Sequence, residues 1–204
     1  MREPGQHCCR ISDRPVIGID EVGRGCIAGH VTAAAVWFPQ MRVPEGVDDS
    51  KKVPEKKRDA LAYAIRQSGV VAIGHATVAE IETHGIGKAT HMAMARAWYM
   101  LPAPRDALVI IDGTERPEGI NADIVCMKGA DASCPSVAAA SLIAKVDRDQ
   151  AMRVLAGDDD IYDWKSNKGY GVAAHVRALL KHGLGPYHRR GFAPVRDLIK
   201  GKIS

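Results

Sequence analysis

Two apolar segments of this chain each run into acidic residues. Residues 15–19 lead directly into Asp20 and Glu21, and the continuous apolar run 107–111 leads into Asp112. A run such as 107–111 is typical of a strand that is buried on both faces between parallel neighbours. An unpaired carboxylate buried at the end of such a strand costs several kcal/mol. The two segments therefore indicate either a bound cation or strands that turn into solvent at their acids.

The pattern around these segments predicts an α/β layer fold with a mixed five-stranded sheet and flanking helices. A crossover connection would place the fourth strand beside the first and parallel to it. Asp20 and Asp112 would then lie side by side at the carboxyl ends of their strands, where ligands of open α/β sheets bind. Ser133 or Ser136 is expected to cap the long helix that follows. The predicted strands are 16–20, 30–38, 70–78, 107–113 and 122–127, and the predicted helices are 55–67, 87–101, 135–155 and 171–182.

Length and composition allow one full core with a small appendage. We expect a loose leader at 1–14, a catalytic domain at 15–157 and a helical C-terminal extension at 158–204 that contributes to substrate binding. The net charge of +4 is only a weak indication of a polyanionic partner. No segment has the apolar length of a signal peptide or a membrane helix, so we expect a cytoplasmic protein.

Carboxylate oxygens are the ligands that Mg²⁺ and Mn²⁺ prefer. The five cysteines are odd in number and lack a repeated C-x-x-C spacing, which argues against a disulfide framework and a structural zinc site. His75, His84 and His91 lack ligand spacing and neighbours, and they are expected to be ordinary residues. If the acids bind a metal, the sequence favours a hard divalent ion.

The chain carries seven short motifs in a fixed order. They are GIDEVGRG (18–25), DSKK (49–52), IIDG (110–113), KGAD (128–131), AAASLIAKVDRD (138–149), NKGYG (167–171) and HRRGFAP (188–194). In sequence and order these motifs resemble those of the ribonuclease HII family, and the likeness covers about residues 15–195. The order makes the set far more specific than any single motif. The resemblance implies a ribonuclease H-like fold with a short helical C-terminal extension.

This resemblance implies an endoribonuclease that hydrolyses RNA in RNA–DNA hybrids. It would cut on the 5′ side of a ribonucleotide embedded in duplex DNA, leaving a 3′-hydroxyl and a 5′-phosphate. The family's metal-binding carboxylates correspond to Asp20, Glu21, Asp112 and Asp131. The elements that recognise the 2′-hydroxyl correspond to the loop Gly23, Arg24 and Gly25 and to Tyr170.

The chain departs from the family pattern at three positions. Cys26 and His30 stand where the family usually has prolines, and Asp147 stands where a small hydroxyl residue is usual. A cysteine in place of a proline, which restricts φ, is expected to loosen the loop that reads the ribose.

The four carboxylates also indicate metal-dependent hydrolysis independently of the family resemblance. Four clustered carboxylates repel one another unless cations intervene, and two divalent ions about 3.5–4 Å apart would bracket a scissile phosphate. We expect Asp20 to bridge the two ions. Taken alone, Asp131 could instead complement a helix dipole. Tyr170 could be an anchor for the C-terminal unit. Asp149, near Arg148 and Arg153, is expected to be a surface ion-pair partner.

Several basic residues are candidates for phosphate contacts, which position a duplex without reading its sequence. Ser50 and Lys52 are the preferred substrate contacts because they lie in a family motif. Residues 188–190 form a second basic group, whereas residues 56–58 are expected to be a solvated surface. We expect a monomer that binds an RNA–DNA hybrid or a DNA duplex containing ribonucleotides. The alternatives are a DNA-directed nuclease on the same fold and a non-catalytic hybrid-binding protein.

Overall fold

The computed structural model describes residues 14–47 and 53–202. The predicted leader and the predicted contacts Ser50 and Lys52 lie outside this range, apart from residue 14. The strands are β1 (Val16–Val22), β2 (Val31–Trp37), β3 (Val70–Ala76), β4 (Leu108–Asp112) and β5 (Asp123–Met127). The helices are α1 (Glu55–Ser68), α2 (Val78–Met100), α3 (Pro135–Ala156), α4 (Trp164–Asn167), α5 (Ala173–His182) and α6 (Val195–Ile199), with a 3-10 turn at Ala130–Ala132.

The five strands form one mixed sheet in the order β3-β2-β1-β4-β5. Strands β1, β2 and β3 are antiparallel neighbours, while β4 runs parallel to both β1 and β5. The predicted fold class is therefore confirmed. Ile19 on β1 pairs with Ile111 on β4, so the residues that follow them, Asp20 and Asp112, lie side by side.

Helices cover both faces of the sheet. Because successive side chains of β1 point to opposite faces, neighbouring residues of this strand pack against different helices. Ile17 and Ile19 join the core beneath α2, which includes Met94 and Trp98. Gly18 faces α3 so closely that a Cβ on it would lie 2.2 Å from the backbone carbon of Ser136. Asp20 follows Gly18 by two residues, so its side chain also points toward α3. The α3 face of the sheet therefore carries the acid.

The C-terminal residues pack on the loop after β1 through a separate apolar cluster. Ile27 and Ala28 from that loop meet Trp164, Leu179 and Val195. The backbone N–H groups of Ile27 and Ala28 also donate to the carbonyl of Gly169, at 2.9 and 3.2 Å. The C-terminal unit and the loop thus share one small core.

Several predicted boundaries were wrong. Strand β1 extends to Val22 rather than ending at Asp20, so Asp20 and Glu21 both lie within the strand. Helix α2 begins nine residues earlier than the predicted 87, and it passes through a kink at Gly85, whose φ is +79°. Neither predicted serine caps α3, because Cys134 holds the N-cap position without a side-chain cap. Within the described residues, no helix is long and apolar enough to cross a membrane.

Candidate active site

Four acids meet where β1 and β4 end on the α3 side. Carboxylate oxygens of Asp20, Asp112 and Asp131 lie within 4.8 Å of one another. Glu21 is outside this group of three, although it lines the same cavity of about 230 Å³. The structure thus brings all four predicted acids to one cavity, three of them within reach of a single ion.

Asp20 is the buried member of the group, with 5% of its surface exposed. Its carboxylate accepts a hydrogen bond from the backbone N–H of Glu21 at 2.7 Å and another from the Ser141 hydroxyl. Burial, followed by repulsion from Glu21 and Asp112, still raises the pKa of Asp20 well above 3.8. Ionised Asp20 therefore destabilises the folded protein, and a bound cation would reduce this destabilisation by neutralising the negative charge.

Glu21 is only half satisfied. Its Oε1 accepts a hydrogen bond from Arg24 Nη1 at 3.2 Å, whereas its Oε2 is buried and has no hydrogen-bond partner among the described residues. Burial raises the pKa of Glu21 despite the opposing effect of Arg24. Such a carboxylate oxygen can coordinate a cation without giving up a hydrogen bond to the described residues.

Backbone groups around the 3-10 turn hold the other two acids. Oδ1 of Asp112 accepts hydrogen bonds from the backbone N–H groups of Gly129 and Ala130, at 2.6 and 3.0 Å. Gly129 has a φ of +72°, a conformation that glycine adopts without strain. The turn follows at once and places Asp131 against the other acids rather than only at the start of α3.

Besides Val22, three polar residues that line the cavity were not predicted as part of the site: Arg58, Ser141 and Lys145. Arg58 had been assigned to a solvated surface, but it is half-buried. Ser141 and Lys145 are four residues apart and so lie on one face of α3. That spacing within the predicted helix 135–155 was the available signal.

Asp149 continues the same face of α3, and its predicted position was wrong. It is buried, with 4% of its surface exposed, and it pairs with Lys145 at 2.7 Å rather than with Arg148 or Arg153. The Lys145 ammonium also lies 5.9 Å from the centre of the Tyr170 ring. Asp149 thus holds a lysine between the acids and Tyr170.

Two fully buried arginines fix the glycine loop. Arg148 donates to the carbonyls of Ala28, His30 and Lys168, at 2.7 to 3.1 Å. Arg189 donates to the carbonyls of Arg24, Gly29 and His30, at 2.8 to 3.2 Å.

The predicted phosphate contacts at His188 and Arg189 were therefore wrong, since both residues are buried. Of that basic group only Arg190 is exposed.

The loop itself exposes Arg24 and Gly25 beside the cavity, while Gly23 is buried. Gly23 has a φ of +93°, and a Cβ on it would lie 2.1 Å from Nε of Arg148. Tyr170 lines the acidic cavity opposite, and its side chain is hydrogen-bonded to Cys26. Burial is the main reason that the pKa of Tyr170 is raised above 10. Its ring therefore presents a neutral phenol next to the acids.

The donor set fits a hard divalent ion. All four side chains offer oxygen, the central carboxylate is buried among other acids, and one carboxylate oxygen has no donor among the residues that the structure describes.

A second group of possible metal ligands includes His75, so the prediction that His75 has no such neighbours was wrong. One nitrogen of His75, one of His30 and an oxygen of Asp147 lie within 4.8 Å of one another, away from the acidic cavity.

Comparison with known proteins identifies the relatives of this chain. A ribonuclease HII from Cereibacter sphaeroides is 47% identical over 189 residues, covering 93% of this chain and 89% of that protein. The ribonuclease H2 from Pyrococcus horikoshii OT3 superposes with a TM-score of 0.77 at 22% identity, covering 92% and 98% of the two chains. Bst-RNase HIII in complex with Mn²⁺ gives a TM-score of 0.72 at 20% identity, covering 94% and 71%. These two structures support the fold.

The sequence model that describes ribonuclease HII matches residues 17–195, which include every acid of the cavity, the glycine loop and Tyr170. This chain belongs to the ribonuclease HII family, whose members are hydrolases that act on RNA in RNA–DNA hybrids.

Proposed function

We propose that this protein is a divalent-metal-dependent endonuclease that cuts duplex DNA on the 5′ side of an embedded ribonucleotide, leaving a 3′-hydroxyl and a 5′-phosphate. One observation carries the proposal: the carboxylates of Asp20, Asp112 and Asp131 converge in a cavity that Tyr170 also lines, and Arg24 of the glycine loop donates a hydrogen bond to Glu21 at the same cavity. A phosphate at the acids would then have its neighbouring ribose between the loop and the phenol.

The proposed metal ligands are Asp20, Glu21, Asp112 and Asp131, and the proposed ions are two Mg²⁺ or Mn²⁺. Bound divalent ions would supply an activated water and charge stabilisation for the scissile phosphate. Mn²⁺ in the structure of a ribonuclease HIII with the same fold is consistent with this choice.

The chain's own residues would bind and orient the substrate. The N–H groups of exposed Gly25 and its neighbours can approach a ribose because glycine has no Cβ. Tyr170 can stack on the sugar and donate its phenolic proton, and a 2′-hydroxyl is the group that distinguishes RNA from DNA. Lys145, held by Asp149, places a positive charge beside the position of the phosphate.

Phosphate contacts outside the cavity would supply most of the duplex affinity. Arg24 and Arg190 are exposed in the described structure, and Ser50 and Lys52 remain predicted contacts. The proposed substrate is an RNA–DNA hybrid or a ribonucleotide-containing duplex. The domain boundaries, the monomeric state and the cytoplasmic location remain predictions.

The test is to map the cut on a DNA duplex that contains one ribonucleotide, with Mg²⁺, with Mn²⁺ and with chelator. We expect a single metal-dependent cut 5′ to the ribonucleotide and none in the all-DNA duplex. Equal cutting of the all-DNA duplex would favour the DNA-directed nuclease. Binding without cutting in either metal would favour the hybrid-binding protein.

A further inference from the structure

His30, His75 and Asp147 come together on the side of the molecule away from the acidic cavity. His30 follows the glycine loop, His75 lies on β3 and Asp147 lies on α3. The Nε2 atom of His75 is 2.7 Å from Oδ2 of Asp147, and the two imidazole rings are 4.9 Å apart and almost perpendicular. Three distant parts of the sequence thus place two imidazoles and one carboxylate around a common point.

We propose that these three side chains form a second metal site, which binds a transition-metal ion of the Zn²⁺ class through His30, His75 and Asp147. The proposal does not depend on the proposed function, because none of the three residues lines the acidic cavity.

The residue types at two of these positions support their role as metal ligands. His30 and Asp147 are two of the three positions at which the chain departs from its family's pattern, and they meet in space. A proline has no side-chain ligand atom and a small hydroxyl group is a weak one. Both departures therefore add metal-binding capacity at the same place.

The state of His30 also supports the site. Its Nε2 is buried and has no hydrogen-bond partner among residues 14–47 and 53–202. Burial, helped by the neighbouring His75 and Arg148, lowers the pKa of His30 to about 4. The ring is therefore neutral near pH 7, the form in which imidazole binds a metal.

The surroundings hold this geometry and leave it accessible. Arg148 and Arg189 both donate to the backbone carbonyl of His30, at 3.1 and 3.2 Å, which fixes its position. Their positive charges oppose a nearby cation, and the carboxylate of Asp147 offsets them. The cluster borders a groove of about 720 Å³ whose other walls include Val78, Leu155 and Tyr187.

The ligand types select the metal. Two imidazole nitrogens and one carboxylate suit Zn²⁺ and similar ions, whereas Mg²⁺ and Ca²⁺ prefer oxygen alone. Three protein ligands leave one position of a tetrahedral ion for water. An ion there would tie the end of the glycine loop to β3 and α3.

The experiment is a calorimetric titration of the full chain with Zn²⁺ in millimolar Mg²⁺, which competes with Zn²⁺ for the acidic cavity. We expect the wild type to bind one Zn²⁺ with a raised melting temperature. His75→Ala and Asp147→Ala should lose that equivalent and the thermal shift. Both side chains are partly exposed, at 45% and 27%, so the variants should fold.

His84→Ala is the matched control, because His84 is an exposed histidine on α2 outside the cluster. It should bind Zn²⁺ as the wild type does. Co²⁺ in place of Zn²⁺ should give a visible absorption band without a sulfur charge-transfer band. Absence of a bound equivalent in the wild type, its retention in either cluster variant, its loss in His84→Ala or a sulfur band would each overturn the proposal.

Discussion

At the scale of single residues, the acidic cavity stores electrostatic repulsion. Asp20 is buried beside Glu21 and Asp112, and two hydrogen bonds to its carboxylate oppose the effect of burial. A cation that binds only the folded protein would stabilise it by mass action. Binding of the proposed metal would therefore raise the stability of the protein, and variants of the acids should reveal this coupling.

Asp112→Asn should reduce cleavage by at least about 100-fold, because it removes a charged metal ligand. The asparagine oxygen can still accept the N–H groups of Gly129 and Ala130, while repulsion of Asp20 decreases. In chelator the variant should therefore melt at or above the wild-type temperature. Asp106→Asn, at an exposed aspartate before β4, is the control and should change neither property. A clearly destabilised and active Asp112→Asn would show that Asp112 is not a ligand.

Tyr170→Ala should lower cleavage at a single ribonucleotide by about 100-fold with little loss of duplex affinity. Misplacement of a substrate by about 1 Å can cost that much, whereas phosphate contacts supply most of the binding. Tyr170→Phe should fall between, because the ring remains and the hydrogen bond with Cys26 is lost. Cleavage rates and affinities measured on the same duplex test this expectation. Tyr63→Ala is the control, because Tyr63 is a tyrosine on α1 that is 66% exposed. If Tyr170→Ala cleaved at the wild-type rate, Tyr170 would not position the substrate and would only anchor the C-terminal unit.

At the scale of elements, the sequence predicted the sheet well because its signals are local. Strands β1 and β4 run into acids, β2 ends shortly before Pro39, and β3 begins directly after Gly69. Helix α2 was predicted to begin at residue 87, whereas Thr77 and Glu80 form a capping box at its true start and the helix continues past the kink at Gly85. The role of α3 in the site could not be read from one motif, since it depends on which face of the helix meets Asp20.

The glycine loop offers a test at this scale that separates structure from recognition. Gly23→Ala should destabilise the protein by about 2 kcal/mol or more, because its φ is positive and its Cβ would clash with Arg148. Gly25→Ala has open space around the new Cβ, so its stability should stay within about 0.5 kcal/mol of wild type. Gly25→Ala should nevertheless cleave more slowly, since the methyl group would meet the ribose. Denaturant unfolding and cleavage rates measured together check both expectations, and equal stability of the two variants would contradict them.

Acid should loosen the C-terminal unit. Burial, followed by repulsion from His175, lowers the pKa of His188 from 6.5 to about 4. Besides His175, the groups facing His188 are the Tyr162 and Trp164 rings and the backbone of Gly185.

A lowered histidine pKa gives stability that is complete above pH 6.5 and is lost as the pH falls toward 4. Amide exchange across 162–190 should therefore accelerate over that range. His188→Gln should show a weaker dependence on pH, and an unchanged profile would exclude His188 as the cause.

At the scale of the whole molecule, the acids and the glycine loop depend on different long-range contacts. The acids meet because β4 lies next to β1, which the order of strands and helices predicts. The loop depends on Arg148 and Arg189, whose burial no local pattern indicates. Arginines are normally exposed, so residues 188–190 were read as a phosphate-binding surface. The site's acids were therefore predictable, and its internal supports were not.

Arg189→Met should cost at least about 3 kcal/mol of stability, since it removes hydrogen bonds from a buried guanidinium to three carbonyls. The adjacent Arg190→Met is a matched control and should stay within about 0.5 kcal/mol. If Arg190 contacts phosphate, its variant should instead bind duplex more weakly and with a smaller dependence on salt. The reverse order of stabilities would contradict the burial of Arg189.

The bond between Arg189 and the carbonyl of Gly29 joins residues that are 160 positions apart. On the ribosome, the sheet and its acids can form well before Arg189 is synthesised, since chains emerge from the N-terminus at about 5–20 residues per second. The loop next to those acids would be completed about 8–30 s after its own synthesis, because it needs this late arginine. A nascent chain would thus acquire its proposed metal ligands first and the loop proposed to recognise the ribose last.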